Sequence, residues 1–251
     1  MSDKEPRQRG IPLRALAPNV VTAMALCAGL TSVRFGIAHE WEMAVIATLV
    51  AAALDGIDGR VARLFRAESR FGAELDSLSD VVAFGVAPAL VLFLWSLQSV
   101  PKIGWLIAIG FTLSAALRLA RFNANIDVED QPHKSAGFMT GVPAPAGAAL
   151  ALLPLYLWIE TRVELFRDPL IVAPWLGMVA FLMISNLATF SWASIRPRRA
   201  VRLELIFAAA LVGSALFTLP WITLSGISAL YVGALPFSIR SYAKIKRLRA
   251  G

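Results

Sequence analysis

Apolar runs long enough to cross a membrane recur along the whole sequence, and they constrain the fold more than any other feature. A helix needs about 20 apolar residues to cross about 30 Å of hydrocarbon, where no water is present to satisfy backbone polar groups. Hydrophobic residues make up 57% of the 251 and charged residues 16%, unlike the usual balance of a soluble domain. The sequence therefore predicts an all-α integral membrane protein without a separate soluble domain.

Eight transmembrane helices are predicted from these runs. Prolines near several proposed starts and turns favour breaks at those points, because a helix tolerates a missing N–H in its first turn. The predicted spans are residues 18–38, 43–62, 78–98, 103–121, 141–158, 171–192, 204–218 and 221–239. An even number of spans places both termini on the same side of the membrane.

Basic residues are distributed unevenly between the two sides of this topology. Most of the 24 Lys and Arg residues fall on the side that holds both termini. Because basic loops favour the cytoplasmic side, we expect both termini to face the cytoplasm and the protein to lie in the cytoplasmic membrane. The net charge of +7 is then explained by topology and membrane headgroups, and we predict no nucleic-acid partner.

Four aspartates interrupt this apolar pattern in the stretch DGIDGRVARLFRAESRFGAELDSLSD, residues 55–80. On a helix, Asp55 and Asp58 at i, i+3 lie on one side, and so do Asp76 and Asp80 at i, i+4. Two such helices can face each other. The spacing therefore predicts four carboxylates directed at one site near the cytoplasmic boundary.

Carboxylates gathered at a membrane repel one another and are costly to desolvate unless cations neutralise them. Oxygen ligands without nearby His or Cys favour Mg²⁺, Mn²⁺ or Ca²⁺ over zinc. Two other interpretations explain the acids. They can pair with the interleaved arginines in a solvated loop, or they can line a cation transporter or channel.

Small and basic residues accompany the aspartates at helical spacing. Gly59 lies one turn after Asp55, and Gly72 lies one turn before Asp76, which leaves space beside the carboxylates. Ala62 continues the Asp55 face, and Arg63 can complement a phosphate. The constellation is typical of a site for a metal ion, a phosphate group and a planar or sugar group.

At these residues the chain resembles the CDP-alcohol phosphatidyltransferases. The family signature has the spacing D, two residues, DG, two residues, AR, eight residues, G, three residues, D, three residues, D. The positions that match it are Asp55, Asp58, Gly59, Ala62, Arg63, Gly72, Asp76 and Asp80. The resemblance implies a six-helix core over residues 15–200, followed by two additional helices over 201–239, with basic cytoplasmic tails at 1–14 and 240–251.

Further stretches resemble the membrane-embedded branch that uses serine as acceptor. These stretches are SDVVAFGVAPAL from residue 79, ALRLARFN at 116–123, FMTGVPAPAGA at 138–148 and LMISNLATFSW at 182–192. Glycerol 3-phosphate or inositol phosphate would be compatible with the same signature, so only these stretches favour serine. A serine carboxylate needs a cationic partner, for which we consider Arg118 or Arg121, with Asn123 assisting.

The resemblance implies a reaction and a set of roles. The phosphatidyl group of CDP-diacylglycerol would pass to the hydroxyl of L-serine, giving phosphatidylserine and CMP. Asp55, Asp58, Asp76 and Asp80 would hold two divalent cations, Mg²⁺ or Mn²⁺, and Asp80 would also act as general base. Gly59, Ala62, Arg63 and Gly72 would line the pocket for the CDP moiety and its phosphates. The resemblance also implies a homodimer in the membrane.

Overall fold

Helices follow the predicted apolar runs in the computed structural model, which describes residues 13–65, 69–124, 138–185, 187–190 and 202–250. Taken together, most residues of these helices are apolar, as expected of segments that pack against one another and against lipid. The α-helices are α1 Leu13–Ile37, α2 Trp41–Phe65, α3 Arg70–Asp80, α4 Ala87–Trp95, α5 Pro101–Ala124, α6 Ala144–Ala151, α7 Leu153–Thr161, α8 Pro169–Ile184, α9 Arg202–Thr218 and α10 Pro220–Ala250. The prediction of an all-α membrane protein is confirmed.

Five of the described segments are long and apolar enough to cross a membrane. They are Leu16–Ile37, Arg70–Trp95, Pro101–Ala124, Ala144–Thr161 and Pro220–Ser238. Two shorter apolar helices, Pro169–Ile184 and Leu203–Thr218, follow the sixth and seventh predicted runs. The second run is α2, which is 25 residues long and has its charged residues concentrated toward its C-terminal end.

Two of the differences from the predicted boundaries bear on the site. The third helix begins at Arg70 instead of residue 78, because Ser69 caps its N-terminus. The polar segment that carries Gly72 and Asp76 is therefore helical and continues into the apolar span. The predicted span 171–192 ends as a helix at Ile184. Ser185 adopts an extended conformation there, and the backbone then pairs as a strand. Residues 191 and 192 lie outside the described part of the chain.

The chain after α8 forms a short antiparallel ribbon that hydropathy alone does not predict. Strand β1, Phe138–Thr140, pairs with strand β2, Ala188–Phe190, with Met139 opposite Thr189. Gly141 has a φ of +70° and donates its N–H to the Leu187 carbonyl at 2.8 Å. Glycine suits this position because other residues seldom adopt a positive φ. The ribbon lies where α6 and α8 come together.

A π-helical segment, Val81–Val86, joins α3 to α4. The Ala87 N–H donates to the carbonyl of Val82, five residues back. Helix α1 packs along this segment, and a side chain at Gly29 would lie 2.7 Å from the Cα of Ala83. Close backbone approach through small residues is a common way to pack helices in membranes. It fixes α1 against the helix that carries Asp76 and Asp80.

Candidate functional site

The predicted aspartates come together at one end of α2 and α3. One carboxylate oxygen from each of Asp55, Asp76 and Asp80 lies within 4.8 Å of the others, an arrangement that can hold a metal ion. The i, i+4 spacing on α3 therefore brings both of its acids to the face of the helix that lies toward Asp55, as the sequence predicts.

Asp58 lies beside this group and is held by α1. It is 6% exposed, and its Oδ2 accepts a hydrogen bond of 2.7 Å from the Thr22 hydroxyl. The Ser79 hydroxyl donates to the Thr22 carbonyl at 3.2 Å. These two contacts connect α1 to both acid-bearing helices, and the hydrogen bond from Thr22 orients the Asp58 side chain.

A cavity of about 320 Å³ opens next to the carboxylates. Asp58 and Asp76 form part of its wall. It is also lined by all four residues predicted to bind the CDP moiety and its phosphates, Gly59, Ala62, Arg63 and Gly72. The structure thus brings these residues to one concave surface, with acidic groups on one side and an arginine nearby. Such a cavity has room for a polar ligand larger than a metal ion.

The two glycines shape the cavity in different ways. A Cβ added at Gly59 would have no other atom within 4 Å, so this position faces open space. A Cβ at Gly72 would lie 2.9 Å from Asn19 Oδ1 and 3.1 Å from the Ser69 hydroxyl. Ser69 caps α3 by accepting a 3.0 Å hydrogen bond from the Gly72 N–H. Gly72 therefore allows the start of α3 to approach α1 closely.

The donor set fits a hard divalent cation. Asp76 Oδ1 is buried and has no hydrogen-bond partner among the described residues, which is unfavourable for a carboxylate oxygen unless a cation or water binds it. The neighbouring ligands are carboxylate oxygens, the type that Mg²⁺ and Mn²⁺ prefer. Among the described residues, no ion pair joins these acids to the interleaved arginines, so the solvated-loop interpretation is not supported.

The three predicted acceptor residues lie in different environments at the end of α5. Arg118 is 8% exposed, and its buried Nε has no hydrogen-bond partner among the described groups. It lies within electrostatic reach of Asp80. Arg121 instead donates to the carbonyl oxygens of Ile184 and Ser185 at 3.1 and 3.4 Å. Asn123 donates to the Ser77 hydroxyl at 2.8 Å, and so connects α5 to α3.

Sequence reasoning missed three polar residues of the site. Thr22 holds Asp58, while Asn19 and Ser69 line the cavity. Asn19 and Thr22 are three residues apart in the first apolar run, so they lie on one face of a helix. That spacing was the available signal, because polar side chains at one level of a span often face a polar site. Ser69 could have been predicted as a helix N-cap, because serine is one of the residue types that favour this position.

Comparisons with known proteins agree with this arrangement. Residues 15–196 match the family model described as CDP-alcohol phosphatidyltransferase. A Mycobacterium leprae protein named CDP-diacylglycerol–serine O-phosphatidyltransferase is 38% identical, covering 96% of this chain and 80% of that protein. A Mycobacterium tuberculosis protein of the same name is 35% identical, covering 96% and 84%. A Helicobacter pylori protein, also of that name, is 32% identical, covering 86% and 88%.

Proposed function

The chain belongs to the CDP-alcohol phosphatidyltransferase family, and on this premise we propose that it transfers the phosphatidyl group of CDP-diacylglycerol to L-serine. The products are phosphatidylserine and CMP. The observation that carries the proposal is the juxtaposition of three carboxylates within 4.8 Å with a cavity lined by Gly59, Arg63 and Gly72. The serine acceptor is supported by the names of relatives that align with nearly the whole chain.

Two divalent cations, Mg²⁺ or Mn²⁺, complete the proposed site. Their ligands would be the four signature carboxylates, which are Asp55 and Asp58 of α2 and Asp76 and Asp80 of α3. When bound, the ions neutralise the negative charge of the phosphate oxygens and of the carboxylates themselves. Thr22 keeps Asp58 directed at the site. The cavity beside Gly59 would receive the CDP moiety, with Arg63 available to its phosphates.

The chemical step is a displacement at the phosphorus that carries the lipid. The serine hydroxyl oxygen forms a bond to this phosphorus, and the bond to the CMP oxygen breaks. Asp80 takes the proton of the hydroxyl as the attack proceeds, which makes the oxygen a better nucleophile. The electron pair of the broken bond leaves with CMP. No protein nucleophile takes part in this route.

Arg118 is the better candidate to receive the serine carboxylate. It is buried, its Nε is available, and it lies near Asp80. A guanidinium binds a carboxylate through two parallel hydrogen bonds. Arg121 donates to backbone carbonyls at the end of α8, and Asn123 binds Ser77. We therefore assign these two residues to shaping the pocket and Arg118 to binding the acceptor.

The site would face the cytoplasm, where serine and CMP are dissolved. The distribution of basic residues supports this orientation in the cytoplasmic membrane, with CDP-diacylglycerol entering from the surrounding lipid. The functional unit would be a homodimer, as the family resemblance implies. Cysteine-accessibility labelling from each side of sealed vesicles tests the orientation, and crosslinking in native membranes tests the dimer.

The reaction is tested by measuring CMP release from CDP-diacylglycerol by the purified protein with Mg²⁺ or Mn²⁺. L-serine, glycerol 3-phosphate and inositol phosphate are compared as acceptors, and the lipid product is identified by mass spectrometry. We expect release that depends on serine and yields phosphatidylserine. If CMP is released only with another acceptor, the family assignment stands and the assignment of serine as acceptor is refuted. Folded protein that is inactive with every acceptor would favour cation transport.

Gly59→Ala should weaken binding of the CDP moiety without lowering the stability of the fold. A methyl group at this position meets no protein atom, and alanine is favoured over glycine inside a helix by about 0.5–1 kcal/mol. We expect unchanged or slightly higher thermal stability, together with a KM for CDP-diacylglycerol about tenfold higher, because the methyl occupies ligand space. Steady-state kinetics and a melting curve in detergent measure both.

Gly177→Ala is the matched control, since a Cβ on this α8 glycine also meets no atom within 4 Å. We expect this variant to keep the wild-type KM. Equal KM values for the two variants would show that the CDP moiety does not occupy the space beside Gly59.

A further inference from the structure

Asp58 differs from the other three signature acids in its surroundings. It is not one of the three carboxylates that lie within 4.8 Å of one another, and it is only 6% exposed. A carboxylate this buried is costly unless donors or cations satisfy it. Among the described residues, the Thr22 hydroxyl of α1 is the only hydrogen-bond donor to it, at 2.7 Å from Oδ2. The position of this acid therefore depends on a helix that carries no residue of the signature.

The Thr22 hydroxyl has two acceptors within reach but only one proton to donate. Its oxygen lies 2.7 Å from Asp58 Oδ2 and 3.1 Å from the Pro18 carbonyl oxygen, one turn back in α1. Hydrogen bonds to an ionised carboxylate are shorter and about twice as strong as those between neutral groups. The hydroxyl therefore donates to Asp58. Thr22 is itself 4% exposed, which limits competition from water for this bond.

The backbone of Thr22 makes a second contact, to the other acid-bearing helix. Ser79 of α3 is 2% exposed, and its hydroxyl donates to the Thr22 carbonyl at 3.2 Å. Ser79 directly precedes Asp80, and neighbouring side chains of a helix lie on different faces. Ser79 can therefore contact α1 while Asp80 lies toward Asp55. Thr22 is thus the residue at which α1 joins both α2 and α3 beside the acids.

We propose that Thr22 is a positioning residue of the metal site, which engages Asp58 Oδ2 with its hydroxyl and leaves Oδ1 as the one oxygen that Asp58 offers to a divalent cation. The inference rests on the proposed function, because the cations come from it. It adds to that function a residue of α1 that sets the affinity for the metal without being a ligand. The signature aspartates alone would then not specify the site.

A single offered oxygen suits the proposed ions. Mg²⁺ requires nearly octahedral coordination and is usually bound through one or two carboxylates. An unrestrained Asp58 could bind the cation through both oxygens or turn away from the cavity whose wall it forms. The hydrogen bond from Thr22 disfavours both alternatives. Threonine is also neutral, so it adds no positive charge that would repel the cation, as a lysine or arginine at this position would.

Thr22→Val tests the proposal, because it removes the hydroxyl and keeps the branched shape of the side chain. We expect the Kd of one Mn²⁺ ion, titrated in the presence of CDP and followed by electron paramagnetic resonance, to rise at least about tenfold, as for loss of a group that orients a metal ligand. CMP release should need correspondingly more Mn²⁺ for its half-maximal rate. The kcat at saturating Mn²⁺ should fall by less than about threefold.

Two further substitutions at the same position separate the hydroxyl from the shape of the side chain. Thr22→Ser keeps the hydroxyl and should restore the wild-type Kd for Mn²⁺. Thr22→Ala removes the hydroxyl through a smaller side chain and should raise the Kd as Thr22→Val does. Melting curves in detergent verify that each variant is folded.

Thr31→Val is the matched control. Thr31 lies on the same helix, and its hydroxyl donates to the carbonyl of Cys27, also four residues back, at 2.7 Å. Among the described residues it makes no hydrogen bond to a carboxylate, so we expect wild-type affinity for Mn²⁺. An unchanged Kd in folded Thr22→Val or Thr22→Ala would overturn the proposal, and so would equal losses in Thr22→Ser and Thr22→Val. Wild-type protein that binds no Mn²⁺ would instead refute the metal part of the proposed function, and the inference with it.

Discussion

Asp80→Asn is expected to lower kcat for serine-dependent CMP release by about a thousandfold or more, which is within the contribution of a general base. The amide has nearly the shape of the carboxylate, so the packing of α3 should be preserved. It cannot accept the serine proton, and it is a poorer ligand for a divalent cation. The substitution also removes one of the three carboxylates that lie within 4.8 Å. Initial rates at saturating substrate measure the effect.

Asp168→Asn is the matched control for this variant. Asp168 caps α8, and its Oδ1 accepts a 2.8 Å hydrogen bond from the Leu170 N–H. Asparagine caps helices about as well as aspartate, so activity and folding should both remain near wild type. An Asp80→Asn protein that is folded and retains more than about a tenth of wild-type kcat would rule out Asp80 as the general base.

The positions of the four aspartates could be predicted because helical periodicity determines which side chains share a face. Asp76 and Asp80 at i, i+4 lie on one side of α3, and the sequence alone indicates that they meet the acids of α2. The positions of the apolar helices were predictable for a similar reason. A run of about 20 apolar residues has few folded alternatives in a membrane.

The rest of the site depends on contacts that a one-dimensional pattern does not specify. The approach of α1, which brings Thr22 to Asp58, depends on close packing of Gly29 against Ala83. The end of α8 at Ile184 depends on strand pairing with residues far away in sequence. Hydropathy counts apolar residues equally in a helix and in a strand, so it extended this span too far.

The distinction between Arg118 and Arg121 also required the structure. Both residues lie near the end of α5, three positions apart, and the sequence gives them equal standing. Arg121 donates hydrogen bonds to backbone carbonyls at the C-terminal end of α8. Arg118 is buried, and its Nε has no hydrogen-bond partner among the described residues. The early end of α8 therefore determines which arginine is available to a ligand.

Removal of divalent cations is expected to abolish CMP release, and added Mn²⁺ or Mg²⁺ should restore it. Asp55, Asp58, Asp76 and Asp80 would carry up to four negative charges in a small volume near the membrane, and no ion pair to a described Lys or Arg neutralises them. A bound ion also stabilises the fold, by about 2.7 kcal/mol at 100 times its Kd. Chelation should therefore lower the melting temperature in detergent as well as the activity. Reversal on adding the metal distinguishes this effect from irreversible unfolding.

Binding of Mn²⁺, followed by electron paramagnetic resonance in the presence of CDP, tests the number of ions independently of turnover. We expect two ions per chain in the wild type and in Asp168→Asn, and weaker binding of at least one ion in Asp80→Asn. Two ions bound close together should also couple magnetically and broaden the spectrum. A single uncoupled ion would mean that Asp58, which already accepts a hydrogen bond from Thr22, serves the nucleotide side of the site and not a second metal. Absence of binding to folded protein would contradict the metal proposal, because the buried Asp76 Oδ1 would then have to be satisfied by a proton or water.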